Sequence, residues 1–284
     1  MATFLLEAVA RAICSAAGYS FGAGIGEGSF KETFFVTKTD GTQLALKILK
    51  PGFSPERTQR EVEAMKRCAH PGIAALVELA EFEHGGTKYT YLTETFMGGG
   101  TLEIRLRAGL LNRDTILSLG SSLILAVGHI AGHDLVHRDL KPQNIMFPGS
   151  AANPVIVDFG IVRDLRKDSI TLSYLGMGPG TPLFAAPEQL NNDKALIDWR
   201  TDQFALGVTL AMCHLGTHPY AEAGDTINQT IGRVAARKGP ANSFIDAMTA
   251  SKLPIIASMV AAWPANRLRT PELLLEAWEK QRGM

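Results

Sequence analysis

The hydrophobic pattern of this chain changes once, at a run of three glycines at positions 98–100. Before it, a period of two predicts β-strands over residues 34–39, 42–49, 74–82 and 87–96. After it, a helical period predicts helices over residues 114–133, 201–215, 243–263 and 271–280, with one short strand within 154–159. The chain is therefore predicted to have an α+β fold, with a small sheet-rich lobe followed by a larger helical lobe.

The first lobe carries three local signals of its own. Residues 3–17 have the spacing of an amphipathic helix, whose apolar stripe needs a partner surface on the first lobe or on another protein. Asp40-Gly41 between two strand-like runs predicts a hairpin turn, and Ser54-Pro55-Glu56 predicts the start of a helix. We expect a terminal helix within residues 1–18, a first lobe over 19–97 and a second lobe over 98–284.

The composition narrows the classes of partner and compartment. The 28 Lys and Arg residues equal the 28 Asp and Glu residues, so no basic excess favours nucleic acid as a partner. Cys14, Cys68 and Cys213 lack the spacing of a disulfide framework or a zinc site, which favours a reducing, cytoplasmic setting. The N-terminus makes a poor signal peptide, and no membrane span is expected.

Two features of the first lobe favour phosphate binding, although each is weak alone. Residues 24–30 (GIGEGSF) lie between two strands, where residues without a Cβ let backbone N–H groups close over phosphate oxygens; a flexible surface turn is the alternative. Lys47 lies inside an apolar strand, and Glu61 follows fourteen residues later in a predicted helix. An acid there could hold the lysine against a bound anion.

Three strings in the second lobe carry the most specific signal: HRDLKPQN at 137–144, DFG at 158–160 and APE at 186–188. With them the chain resembles the eukaryotic-type (Hanks-type) serine/threonine protein kinases from about residue 19 to the end. The resemblance implies one bilobal kinase domain over 19–284, which uses ATP and Mg²⁺ to phosphorylate serine or threonine hydroxyls of a protein substrate that the sequence does not identify. It also implies a buried helix at 201–207 and an ion pair between Arg267 and Glu188.

The resemblance assigns catalytic roles to five matched side chains. Asp139 accepts or orients the substrate hydroxyl, and Thr181 supports it and favours serine or threonine substrates. Lys141 neutralises charge on the moving phosphoryl group. Lys47 grips the α- and β-phosphates and is positioned by Glu61.

The same resemblance implies a set of nucleotide and metal contacts. Asn144 and Asp158 are the implied Mg²⁺ ligands, because amide and carboxylate oxygens suit that ion. The run at 91–96 resembles the strand and hinge that meet adenine, with Thr93 at the gatekeeper position, where a threonine leaves the inner pocket open. The implied nucleotide-binding residues are Gly26, Gly28, Ser29, Lys47, Thr93, Glu94, Phe96, Asn144 and Asp158.

Arg138 precedes Asp139, and the resemblance then implies an activation segment that is ordered when a phosphate pairs with this arginine. The chain is expected to phosphorylate this segment itself. Thr171 and Ser173, and after them Ser169, are the candidate acceptors.

Two residues depart from the family pattern. Lys31 stands where a third glycine is usual and Thr33 where a valine is usual, which predicts weaker nucleotide affinity. They favour one alternative, a pseudokinase-like scaffold that binds nucleotide poorly and signals through its surface. A small-molecule phosphotransferase is a further alternative, which the APE string disfavours. His129, His133 and His137 recur every four residues, but we expect a structural role for them rather than a metal site.

Overall fold

The structure, a computed structural model, describes residues 4–28, 31–51, 62–149, 153–159, 163–165 and 181–283. It divides into two compact units: residues 1–69 with 74–98, and residues 70–73 with 99–284. The division after residue 98 lies at the run of glycines where the hydrophobic period changes.

The first unit is a five-stranded antiparallel sheet with a helix against it. Its elements are helix α1 (Glu7–Ala17) and strands β1 (Ser20–Glu27), β2 (Lys31–Thr37), β3 (Gln43–Leu49), β4 (Leu76–His84) and β5 (Thr87–Thr95). The strand order is β1-β2-β3-β5-β4, and residues 62–67 are helical. The hairpin expected at Asp40-Gly41 is confirmed: Asp40 Oδ1 accepts from the N–H of Thr42 at 2.9 Å, and Gly41 adopts a φ of +85°.

Helix α1 covers one face of this sheet. Its buried residues pack among side chains of β2, β3 and β5, and this core includes Val9, Ala10, Ile13, Cys14, Phe34, Val36, Leu44, Leu46, Ile48 and Tyr91. At the start of α1, the fully buried Glu32 accepts from the N–H groups of Leu5 at 3.2 Å and Leu6 at 2.9 Å. The first of the two alternatives for the terminal helix, packing on the first lobe, is therefore confirmed.

The second unit is mainly helical. Its helices are α2 (Leu102–Leu106), α3 (Arg113–Ala131), α4 (Pro187–Leu190), α5 (Trp199–Leu215), α6 (Ile227–Ala235), α7 (Asn242–Ala250), α8 (Ile255–Met259) and α9 (Pro271–Lys280). Short ladders pair β6 (Leu135–Val136) with β9 (Arg163–Asp164) and β7 (Ile145–Met146) with β8 (Val155–Ile156). Helix α3 packs against α5 and α9, and α5 packs against α8 as well. The residues of α5 from Thr201 to Ala211 are all buried.

One predicted helix is wrong. The segment 243–263 forms two helices, α7 and α8, because Lys252 turns the chain with a φ of +57° and Pro254 follows it.

Among the described residues, α3 is the one helix long and apolar enough to cross a membrane by length and composition. Half of the most apolar 18-residue stretch of α3 is buried inside the second unit, where the helix packs against α5 and α9, as expected for a core helix. A membrane span is therefore not supported.

Candidate active site

The lysine implied to bind phosphate is buried in an ion pair within the first unit. Lys47 Nζ lies 2.6 Å from Glu94 Oε2, and the two side chains are 9% and 3% exposed. The second carboxylate oxygen, Oε1, is buried and has no hydrogen-bond partner in the described part of the chain. Glu94 was expected among the nucleotide-binding residues, but its pairing with Lys47 was not.

The strand register explains the pair. Ala45 on β3 lies opposite Glu94 on β5, and Lys47 lies opposite Leu92. Side chains of directly opposed residues share a face, and alternate residues of a strand return to that face. Lys47 and Glu94 are thus diagonal neighbours on the face turned away from α1.

The same register corrects the gatekeeper prediction. Thr93 lies opposite Leu46, whose side chain belongs to the core beneath α1. Its fully buried hydroxyl has no hydrogen-bond partner among the described residues. Thr93 does not line the face that carries Lys47, and Glu94 occupies that face instead. The sequence could not reveal this, because a shift of one residue along a strand exchanges the two faces.

The glycine-rich segment is part of β1 up to Glu27. Gly26 is paired with Thr33 of β2, and Thr33 lies in turn opposite Lys47. The ladder between β1 and β2 has two irregularities, at residues 21–23 and 24–26, where the glycines fall. Gly28 donates its N–H to the carbonyl oxygen of Lys31 at 2.9 Å, which links the end of β1 to the start of β2.

In the second unit, Asp139 is held by three side chains and one backbone group. Its Oδ1 accepts from the backbone N–H of Thr181 at 3.0 Å and from the Thr181 hydroxyl at 2.9 Å. Its Oδ2 accepts from Lys141 Nζ at 2.8 Å and from Asn144 Nδ2 at 3.0 Å. Lys141 Nζ also donates to the Thr181 hydroxyl oxygen at 2.5 Å. The carboxylate is thereby oriented, with a cation fixed beside it.

The backbone before Asp139 is held by a second carboxylate, whose role has no local signature in the sequence. Asp202, buried in α5, accepts from the N–H groups of His137 at 2.7 Å and Arg138 at 2.8 Å. Burial raises the pKa of Asp202, while the nearby His137 and Arg138 and the two N–H donors oppose that shift. Arg138 adopts a φ of +68°, which few residues other than glycine adopt. Asp202 thus holds a strained turn in place.

The two expected metal ligands lie at one end of a strand ladder. Ile145 of β7 pairs with Ile156 of β8, and the N–H of Val157 donates to the carbonyl oxygen of Asn144 at 3.0 Å. Asp158 follows directly, with a φ of +67°. Because Asn144 uses its Nδ2 for its bonds to Asp139, its amide oxygen remains for a metal.

An amide oxygen and a carboxylate are hard donors that suit Mg²⁺, which usually takes few protein ligands and completes its shell with phosphate and water. No group of three His, Cys, Asp or Glu side chains in the described ranges could hold a metal ion. Asn144 and Asp158 therefore fit a Mg²⁺ ion that arrives with a nucleotide.

The expected ion pair between Arg267 and Glu188 is present and has no solvent exposure. Arg267 Nη1 and Nη2 lie 2.6 Å and 3.0 Å from the two Glu188 oxygens, and the Thr201 hydroxyl donates to Oε1 at 3.0 Å. The pair ties the APE string at 186–188 to the segment before α9, and the Thr201 hydroxyl ties it to α5.

The histidines form contacts of two kinds. His137 donates its Nε2–H to the carbonyl oxygen of Val157 at 3.2 Å. The ring of His129 contacts those of His70 and His133 at tilted angles, with centroids 5.1 Å and 4.6 Å apart. Burial and the neighbouring histidines lower the pKa of His129, which favours its neutral form.

Several predicted site residues lie outside the described residues: Ser29, Glu61, Ser169, Thr171 and Ser173. Phe96 lies within them, directly after β5, and its N–H donates to the carbonyl oxygen of Gln43 at 3.2 Å.

Comparison with known proteins identifies the family of this chain. The family model described as "Protein kinase domain" matches residues 19–278. The chain belongs to the protein kinase family. The serine/threonine-protein kinase pkn3 of Myxococcus xanthus is 30% identical over 214 residues, which cover 71% of this chain and 38% of the relative. The probable serine/threonine-protein kinase PknB of Corynebacterium glutamicum is 28% identical over 269 residues, or 89% of this chain and 40% of the relative.

A plant relative shows the same likeness. CBL-interacting protein kinase 3 of Oryza sativa subsp. japonica is 28% identical over 272 residues, which cover 93% of this kinase and 58% of the relative. This protein kinase therefore spans between 38% and 58% of the length of the three relatives.

Proposed function

We propose that this kinase transfers the γ-phosphoryl group of ATP, with Mg²⁺, to serine or threonine hydroxyls of proteins. The observation that carries the proposal is the Asp139 carboxylate, oriented by Thr181 and Asn144 with the Lys141 ammonium 2.8 Å away. A carboxylate and a cation fixed side by side can accept a proton and offset developing negative charge without rearranging.

The reaction needs one proton acceptor and several positive charges. The substrate oxygen forms a bond to the γ-phosphorus, the bond from that phosphorus to the bridging oxygen breaks, and ADP leaves. The hydroxyl proton passes to Asp139. Lys141 offsets charge on the moving group, and Lys47 binds the phosphates that remain on ADP. Mg²⁺, when bound through Asn144 and Asp158, supplies Lewis-acid stabilisation of phosphate charge.

We include self-phosphorylation in the proposal, with Thr171, Ser173 and Ser169 as acceptors and Arg138 as the partner of the new phosphate. The proposal rests here on the sequence, since the three hydroxyls lie outside the described residues. We also propose a cytoplasmic location, which is supported by three cysteines that are buried and free.

Intact mass provides the test. The purified chain is treated with phosphatase, freed of it, and incubated with ATP and Mg²⁺ beside an Asp139→Ala variant. The expected result is a mass gain of one or more phosphates in the wild type alone, abolished by EDTA and restored by Mg²⁺. Equal masses for both proteins, with a general protein substrate also left unmodified, would contradict the proposal.

A pseudokinase-like scaffold is the alternative, and nothing in the comparisons favours it. It predicts a thermal shift with ATP without phosphate transfer. The side chains that transfer requires, Lys47, Asp139, Asn144 and Asp158, are all in place in the sequence.

A further inference from the structure

We propose that Glu94 is a positioning residue for Lys47, and so determines how this kinase holds the phosphates of its nucleotide. The inference rests on the proposed function, because it concerns the lysine that the proposed reaction uses. The resemblance to the family assigns this task to Glu61 alone. The geometry of the sheet points to Glu94.

The pair is built into the backbone of the sheet. The ladder between β3 and β5 is regular from Leu44 opposite Thr95 to Ile48 opposite Tyr91. This register places Glu94 diagonally across from Lys47 on one face. A carboxylate fixed on the neighbouring strand holds the lysine without any contribution from a helix that follows β3.

The burial of the pair makes the arrangement specific. The two side chains are 9% and 3% exposed, so water screens their attraction weakly. An ammonium group has three N–H donors, and within the described residues Lys47 uses one of them, on Glu94 Oε2 at 2.6 Å. Two donors remain for phosphate oxygens. The carboxylate therefore fixes the position of the ammonium group without using up its capacity to bind an anion.

The unpaired oxygen of Glu94 supports a functional role over a purely structural one. Burying a carboxylate oxygen without a donor is costly, and a pair kept only for stability would be replaced by apolar side chains at little loss. Glu94 Oε1 is such an oxygen within the described part of the chain. The free-energy cost of burying this oxygen is consistent with a carboxylate that is retained because it positions Lys47.

The consequence is a lysine with two possible acidic partners. Glu94 is fixed by strand register, whereas Glu61 belongs to a separate segment of the chain. We infer that removing the charge of Glu94 costs more activity than removing that of Glu61, because Glu94 holds the ammonium group independently of that segment.

Steady-state kinetics of the full chain test this inference. The variants are Glu94→Gln, Glu61→Gln and, as a matched control, Glu81→Gln. Glu81 lies in the same sheet and pairs with Lys88 at the same distance of 2.6 Å, but the two side chains are 57% and 67% exposed. We expect Glu94→Gln to lower kcat/KM for ATP by 10-fold or more, Glu61→Gln to lower it less, and Glu81→Gln to leave it unchanged.

A double-mutant cycle separates positioning from stability. If Glu94 acts through Lys47, adding Glu94→Gln to Lys47→Met lowers the residual kcat/KM for ATP no further. Thermal unfolding of each variant shows that the folded protein is being assayed. Should Glu94→Gln fail to fold, Glu94→Asp keeps the charge on a shorter side chain, and its loss of kcat/KM with unchanged folding is the corresponding expectation.

Three outcomes would overturn the inference. The first is an active wild type in which Glu94→Gln, or the folded Glu94→Asp, changes kcat/KM for ATP less than twofold. The second is an equal loss from Glu94→Gln with and without Lys47. The third, a wild type no more active than Asp139→Ala, would overturn the proposed function as well, so the two failures are distinguishable.

Discussion

Thr181 binds one carboxylate oxygen of Asp139 twice, through its backbone N–H at 3.0 Å and its hydroxyl at 2.9 Å. The same hydroxyl oxygen receives a hydrogen bond from Lys141. One side chain thus fixes the distance between the proposed base and the cation beside it.

Replacing Thr181 with alanine removes the hydroxyl and leaves the backbone bond. A hydrogen bond to a charged group contributes about 1.5 to 3 kcal/mol, so we expect Thr181→Ala to lower kcat roughly 10- to 100-fold. Thr181→Ser keeps the hydroxyl and should remain within a few-fold of the wild type. Radiolabelled phosphate transfer to a protein substrate measures both. Equal rates for the alanine and serine variants would show that the hydroxyl has no such role.

The buried pair of Arg267 and Glu188 should be important for stability. Arg267→Met leaves the Glu188 carboxylate without its cation, and loss of one partner of a buried pair costs about 3 to 5 kcal/mol. The exposed pair of Lys280 and Glu276 is the control, and Lys280→Met should cost less than about 1 kcal/mol. Urea unfolding gives both free energies. Similar losses for the two variants would contradict the expectation.

His218 should make the stability of the second unit depend on pH. It is buried, its Nε2 lies 3.0 Å from the carbonyl oxygen of Leu183, and its Nδ1 accepts from the N–H of Tyr220 at 3.1 Å. Burial lowers the pKa of His218 from 6.5 to about 4. The unfolded chain therefore binds a proton at a higher pH than the folded chain does.

The stability associated with neutral His218 is complete above pH 6.5 and is lost as the pH falls towards 4. The loss amounts to about 3 kcal/mol at 1.36 kcal/mol per pH unit. His218→Gln should remove this component, so the difference in unfolding free energy between variant and wild type should change across that range. A difference that stays constant with pH would disprove the role of His218.

Helix α1 should contribute to the stability of the first unit. Ile13 is 1% exposed in the core beneath α1, and Ile13→Ala should cost about 2 to 5 kcal/mol. Leu5 is 75% exposed, and Leu5→Ala should change stability by less than about 0.5 kcal/mol. Thermal or urea unfolding of the full chain measures both. If deleting residues 1–18 left stability and activity unchanged, α1 would be dispensable.

Much of the fold follows from periodicity and turn chemistry. The α+β organisation, the Asp40-Gly41 hairpin and helices near 114–133 and 271–280 depend on local patterns, and the structure reproduces them within a few residues. The break inside 243–263 was missed because an apolar helical pattern continues across Pro254. A proline and a residue with positive φ end a helix even where the apolar pattern continues.

The candidate site likewise contains residues that the sequence predicts and contacts that it does not predict. Asp139, Lys141, Asn144 and Thr181 were predicted from their strings, and the structure brings their side chains into hydrogen-bond contact. The contacts of Lys47 and Asp202 were missed, because they depend on strand register and on the docking of a distant helix. Such long-range relationships have no local signature in the sequence.

Strand register also determines where the chain tolerates insertions and deletions. The turn at residues 85–86 joins β4 to β5, and an added residue there leaves the pairing of β5 with β3 unchanged. With the pairing of Tyr91 kept, an added residue between Tyr91 and Thr93 moves Glu94 to the α1 side and puts Thr93 in its place on the face that carries Lys47. Length changes in this strand are therefore expected to matter by parity: one residue exchanges the partner of Lys47, and two residues return a side chain to the same face.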